Sequence, residues 1–164
     1  LKGRGFVTTD RRIINAQKTQ IVLDGLLKGV DQTTASTLKD PADGDAGWTI
    51  LEVMGHLLDF EILCVDRISG IVAEDAYAIQ PINVETWPIE HDYQGKQLAD
   101  VIAQRGEWRA KNIALLEALT PEQFDRTGIH PTRGAISIDT IALQLTTHDV
   151  DHLDQIVRIL GLDQ

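Results

Sequence analysis

Four stretches of helical apolar periodicity, start signals at the heads of several, and the lack of sustained strand alternation predict an all-α protein built as a four-helix bundle. The stretches cover about 10–29, 49–72, 94–118 and 137–160. The chain has 164 residues, enough for one domain with a sizeable core. We therefore read residues 1–164 as a single bundle domain in which residues 1–8 form a tail.

In the first helix Ile13, Ala16, Leu23, Leu27 and Val30 recur at steps of three, four or seven. Ile14 and Ile21 lie beside that stripe and predict a broad buried surface. A connection rich in Thr, Asp and Gly follows over 31–47, with turn chemistry at Asp40-Pro41-Ala42-Asp43-Gly44. The second helix opens on Thr49-Ile50-Leu51-Glu52, a capping box, with Trp48 and Val53 at the staple positions. His56 stands deep in this apolar helix. Glu52, Asp59 and Arg67 fall at offsets near whole turns from it, a polar stripe that is costly to bury without partners.

Residues 75–93 form a second long connection, broken by Pro81 and Pro88. A loop of that length is either a functional cover or a surface excursion. His91 within it reads as solvent-exposed. The third helix follows Leu98, Val101, Ile102, Trp108 and Leu116 and carries no evident chemistry. Thr120-Pro121-Glu122-Gln123 starts a short helix. Ala135-Ile136-Ser137-Ile138 is too short to nucleate a sheet. The fourth helix opens at Ser137 and stops at Gly161, a C′ glycine.

His148 and His152 lie one turn apart on the inward stripe of the fourth helix, a spacing that suits two imidazoles on one metal ion. His56 on the second helix supplies a third. Three neutral imidazoles leave open positions on a divalent ion, which would lower the pKa of a bound water or thiol and polarise an oxygen. Glu52, Asp59, Asp151 or Gln155 could take the second ring proton of a ligand. Arg67 could hold an anionic group if its side chain reaches the cavity. The donor set suits zinc, nickel, iron or copper. His148-Asp149-Val150-Asp151-His152 also parallels H-E-x-x-H, but Asp149 has a shorter reach than glutamate and no third ligand lies downstream.

The formal net charge of −10 repels phosphate backbones and anionic membrane surfaces, so neither nucleic acid nor membrane is an expected partner. No apolar run approaches the roughly 18–20 residues of a spanning helix, and Leu1-Lys2-Gly3-Arg4-Gly5-Phe6 does not read as a signal peptide. Cys64 is the one cysteine, which rules out an internal disulfide and fits a reducing cytoplasm. It reads as a buried apolar residue rather than a nucleophile.

The segment from Trp48 through Glu52, His56 and Asp59 to Glu61 resembles the second-helix signature of the DinB-like (YfiT-like) superfamily of metal-dependent enzymes. Gly134-Ala-Ile-Ser137, followed by His148-x-x-x-His152-Leu-x-Gln155-Ile156, resembles its last-helix signature. The resemblance spans nearly the whole chain. It implies an up-down-down-up bundle, often a homodimer, with zinc, nickel or a similar ion on His56, His148 and His152. It also implies a small-molecule substrate and, from thiol-dependent S-transferases in the family, a low-molecular-weight thiol as cosubstrate. A metal-activated hydrolase is the nearest variant, and a non-catalytic, metal-binding, dimeric stress-response protein is the alternative.

Overall fold

Residues 8–163 are described by a computed structural model. The expected tail over 1–8 lies outside the described residues except for Thr8, which already belongs to helix α1 (Thr8–Leu27). Short helix α2 (Gln32–Thr37) and a 3-10 segment (Pro41–Ala46) carry the chain to α3 (Ile50–Ala73). A one-turn helix α4 (Trp87–Glu90) and a 3-10 turn (Tyr93–Gly95) precede α5 (Leu98–Glu117). A 3-10 segment (Pro121–Asp125) and two strands, β1 (Thr127–His130) and β2 (Gly134–Ser137), lead to α6 (Ile138–Ile159).

The start signals operate as the sequence predicts. Thr49 Oγ1 accepts from the Glu52 amide while the Glu52 carboxylate accepts from the Thr49 amide at 2.8 Å. Ser137 caps α6 by accepting from the Thr140 amide at 3.1 Å. Gly161 closes that helix with φ of 65°, in the left-handed region that glycine enters without a Cβ penalty.

Side-chain pairs reveal the helix directions. Arg12 meets Asp139 and Thr19 meets Asp149, so α1 and α6 run parallel. Arg109 reaches the Ala16 carbonyl and Arg105 reaches Gln20, so α1 and α5 are antiparallel. His56 faces His148 while Ile68 and Ile71 share a cluster with Ile138 and Ile141, so α3 and α6 are antiparallel. The order is up-down-down-up. Helices α3 and α5 are parallel neighbours, and the chain must retrace the length of α3 between them. At about 1.5 Å per residue that helix is about 36 Å long, which is why the 74–97 connection is long.

Two expectations fail. Ile14 and Ile21 are 44% and 70% exposed, so the buried face of α1 is a narrow stripe of Ile13, Ala16, Leu23 and Leu27. The 135–138 segment does pair: β1 and β2 form an antiparallel hairpin in the register Thr127↔Ser137 to His130↔Gly134. Its short strands gain support from the preceding connection, because the Ile129 amide donates to the Tyr77 carbonyl at 2.7 Å and the Ile79 amide donates to the Ile129 carbonyl at 3.0 Å. That partner is distant in sequence, so local alternation gives no sign of it.

The core divides into two apolar clusters. One gathers Leu23, Leu27, Leu51, Met54, Leu98, Val101 and Ile156; the other gathers Ile68, Ile71, Leu116, Ile138, Ile141 and Leu145. Between them lies a polar layer containing His56 and Glu61 of α3, Arg105, Arg109 and Asn112 of α5, and Asp149 of α6, all buried. Tyr93, fully buried, lies flat on Gly55 of α3: a Cβ at residue 55 would stand 2.5 Å from the Tyr93 ring. Gly55→Ala is therefore expected to lower unfolding free energy by about 1–3 kcal/mol, the usual cost of overpacking, read as a shifted urea midpoint.

Candidate metal centre

His56 Nε2 lies 2.9 Å from His148 Nε2, and His148 Nε2 lies 3.2 Å from His152 Nε2. The ligand-capable atoms of all three residues fall within 4.8 Å of one another. Helix periodicity explains the meeting: one turn separates His148 from His152 on the α6 stripe, and the antiparallel α3 brings His56 opposite them.

The donor set fits a divalent cation. Nitrogens each about 2.0–2.1 Å from one ion stand about 2.9–3.4 Å apart at ligand angles of about 90–110°. The same contacts are poorly served by protons. His148 Nε2 carries either one lone pair or one hydrogen, yet it faces two other ring nitrogens. Extra protons are disfavoured at neutral pH. Burial, reinforced by the charges that His148 and then His152 would carry, lowers the His56 pKa to about 3. Burial, then His152, lowers His148 to about 4, and burial lowers His152 as well. Neutral imidazole is the form that ligates metal.

These shifts set an acid limit. Each ring has a folded pKa below its unfolded value near 6.5, so the unfolded chain takes up protons first as pH falls. Stability of the metal-free protein is therefore expected to be full above about 6.5 and to fall progressively toward pH 4. Each ring that stays neutral contributes a loss of about 1.4 kcal/mol per pH unit in that window. Urea unfolding at pH 7 and pH 5 reads the difference; equal midpoints would contradict neutral burial of the rings.

Outer partners orient one ring clearly. His152 Nδ1 donates to Gln155 Oε1 at 2.8 Å, which leaves Nε2 as the lone-pair nitrogen facing the cluster. Beyond Gln155, Arg158, first, and then the Ala42 amide hold the buried Asp40 carboxyl below the usual carboxylate range, against the opposing effect of burial. Arg158 Nη2 donates to Asp40 Oδ2 at 2.8 Å. Loss of such an outer partner typically costs 10–100-fold in metal affinity. Gln155→Ala is expected to weaken divalent-ion binding by about that factor, measured by competition with a chromophoric chelator.

The other sequence candidates go elsewhere. The Glu52 carboxylate bonds the Thr49 amide and hydroxyl within the cap and makes no hydrogen bond to a ring nitrogen. Asp59 accepts from Tyr93 Oη and pairs with His91 Nδ1, both at 2.5 Å, instead of holding a ring of the triad. His91 is exposed as expected, yet it is tied down, with its ring stacked on Trp87. Asp151 is exposed and lies beside His148 in a cavity wall. Asp149 is no counterpart of the protease glutamate. Its oxygens accept from Arg105 Nη2 and Arg109 Nη2, each at 2.6 Å, and from Thr19 Oγ1 at 2.5 Å. Cys64 is buried, and burial pushes its thiol pKa up, away from nucleophilic use.

An aromatic shell surrounds the histidines, and the sequence does not announce it. Trp48 stacks parallel to His152 at 6.5 Å and meets the edge of His56 at 5.2 Å. Phe60 packs 4.0 Å from the His148 ring. Trp87, from the long connection, lies 5.7 Å from His56 and is buried, so that loop covers the site. Phe60, four residues after His56, carried a usable signal through helical spacing; Trp87 carried none. On the open side, a cavity of about 430 Å³ includes His148 in its wall, together with Phe60, Leu63, Arg67, His130 and Arg133.

An up-down-down-up helical bundle with three convergent imidazoles beside an open cavity defines a class of protein able to hold one reactive divalent ion in its core. The chain belongs to the DinB superfamily, whose sequence profile matches residues 16–156. It is 30% identical over 141 residues to YfiT of Bacillus subtilis, named "Putative metal-dependent hydrolase YfiT", covering 83% of this chain and 78% of that one. It is 28% identical to OB0782 of Oceanobacillus iheyensis, which bears the same description, over 73% of this chain and 69% of the relative. The solved structure of YfiT, described as having an unusual four-helix bundle topology, superposes with a TM-score of 0.80. That match covers 98% of this chain and 92% of YfiT at 23% identity.

Proposed function

We propose that this chain is a divalent-metal-dependent enzyme acting on a small molecule, with His56, His148 and His152 as the metal ligands. One observation carries the reading: three ring nitrogens from two helices converge at 2.9 and 3.2 Å in a buried setting that keeps them neutral. A divalent ion bound there supplies Lewis acidity, activating a water or thiol and polarising an electrophile.

The chain's own residues do the rest. Gln155 fixes the tautomer of His152, while Trp48, Phe60 and Trp87 lock the rings and limit water on the closed side. The cavity beside His148 admits substrate. Hydrolysis is the first reading, because the named relatives carry that description. Transfer of a group to a low-molecular-weight thiol is the second and rests on the family resemblance. The buried Cys64 makes any such thiol an external one.

The donor set accommodates zinc, nickel or iron. A homodimer is part of this reading, supported by apolar side chains left exposed on α1 and α6, among them Ile21, Val22 and Val150. So is a cytoplasmic site of action, in keeping with a lone free cysteine; no described helix is long and apolar enough to cross a membrane. Metal analysis of protein purified without a histidine tag, followed by ester, amide and thiol-plus-electrophile assays of the loaded protein, tests the proposal. One ion per chain with turnover in one assay supports it. Absence of a stoichiometric ion overturns it, and full occupancy without turnover favours a non-catalytic metal-binding role.

A further inference from the structure

Among the described residues the cavity beside His148 is lined by two arginines and one carboxylate, in a protein whose formal net charge is −10. Arg12, Arg105, Arg109, Arg126 and Arg158 each bond a carboxylate. Exposed Arg11 has none within ion-pair distance among the described residues, and neither do Arg67 and Arg133, both in the cavity wall. Arg67 comes from α3 three turns beyond His56 and is partly buried, and its buried Nε has no hydrogen-bond partner among the described residues. A guanidinium N–H withdrawn from water and left unpaired is costly; Arg105 Nε is in the same state inside the charge network, but Arg67 differs in lining a cavity, where its guanidinium can meet an acceptor brought by a ligand. Burial, first, lowers the Arg67 pKa, and the charge of Arg133 adds to the same pressure.

A third donor sits in the same wall. His130 Nδ1 accepts from the Thr132 and Arg133 amides, each at 3.3 Å, so the ring proton resides on Nε2. The β1–β2 hairpin thus brings His130, with its ring N–H, and the Arg133 guanidinium into the cavity that Arg67 also lines. Among the described residues Asp151 is the one carboxylate in the wall; it and Arg133 are both exposed and so well screened, which leaves the partly buried Arg67 as the dominant charge. Phe60, Leu63, Ile82 and Val84 give the same wall an apolar part, while Gln144 and Thr147 of α6 add neutral polar groups beside His148.

We propose that Arg67, with Arg133 and His130, forms an anion subsite that selects small substrates carrying a carboxylate or phosphate joined through an apolar segment to the group presented at His148. The assignment rests on the metal-enzyme reading for what happens at His148, but the anion binding itself does not. A charged hydrogen bond to a bidentate guanidinium typically changes affinity by tenfold or more.

Calorimetric titration of the untagged protein, metal-loaded and chelator-stripped, with 4-phenylbutyrate, phenyl phosphate and the neutral 4-phenylbutyramide tests it. The expected result is one anion bound per chain in both forms, with the amide at least tenfold weaker. Arg67→Gln should lose at least tenfold for the anion and little for the amide, and Arg133→Gln about threefold. The tighter of the two anions identifies the natural group as carboxylate or phosphate. Equal binding of acid and amide, anion affinity unchanged in Arg67→Gln, or no binding of either anion overturns the subsite. Should Arg67→Gln fail to fold, the comparison of acid with amide on the unaltered chain decides alone. The two readings fail separately. Arginine-dependent binding in a chain that takes up no metal removes the enzyme proposal and leaves the subsite. Stoichiometric metal with charge-blind binding does the reverse.

Discussion

Replacing His148 with alanine is expected to abolish stoichiometric divalent-metal binding while leaving the helical bundle folded. His148 is the shared member of the cluster, within 2.9 Å of His56 and 3.2 Å of His152, so its loss leaves two nitrogens from different helices with nothing between them. Removing an outer partner of a metal ligand costs 10–100-fold in affinity, and removing a ligand from a set of three costs more. Elemental analysis of the untagged variant reads the metal, and far-ultraviolet circular dichroism reads the fold. Retention of one ion per chain at unchanged affinity would take His148 out of the ligand set. Any turnover found for the unaltered protein should vanish with the ion.

The second large effect concerns stability. Asp149→Ala is expected to lower unfolding free energy by about 3–5 kcal/mol, because it leaves Arg105 and Arg109 buried with Glu61 as their only carboxylate. All four side chains are about 1–4% exposed. Burial works to raise the Glu61 carboxyl, and the two guanidiniums oppose it. Asn112 Nδ2 donates to Glu61 at 2.7 Å, and Arg109 also bonds the Ala16 carbonyl at 2.9 Å. The network therefore ties all four long helices at one level, and domains of this size hold only about 5–15 kcal/mol in total. Urea unfolding measures the change; a loss below about 1 kcal/mol would mean that water or a shifted side chain replaces the carboxylate. Asp149 also directly follows His148 in α6, so the variant should bind metal more weakly, through ring position rather than lost ligation.

These two sites differ in how far they can be read in advance. The histidines are legible because they violate a pattern: polar rings on the apolar stripe of α6 and deep in α3 demand either a partner or a ligand. Gln155 was among the candidates because one helical turn separates it from His152. Glu52 and Asp59 met the same spacing criterion and are used differently. A capping box claims the first, and the second pairs with Tyr93 and His91 from a loop whose path local sequence does not encode. Glu61, Arg105, Arg109 and Asp149 look like ordinary charged residues of solvent-facing helix positions. Their burial depends on which helices become neighbours.

By itself the sequence determined the four long helices, the caps of α3 and α6, the inward placement of His56, His148 and His152, and the burial of Cys64. Those features follow from spacing within one helix and from the cost of exposing apolar or burying lone polar groups. Only the tertiary structure decided the rest: the two-stranded hairpin, the Trp87 cover, the central charge network and the arginine-lined cavity. Each depends on contacts between residues more than about 20 positions apart, the hairpin through its bonds to Tyr77 and Ile79, and such contacts are set by packing geometry rather than by any local period.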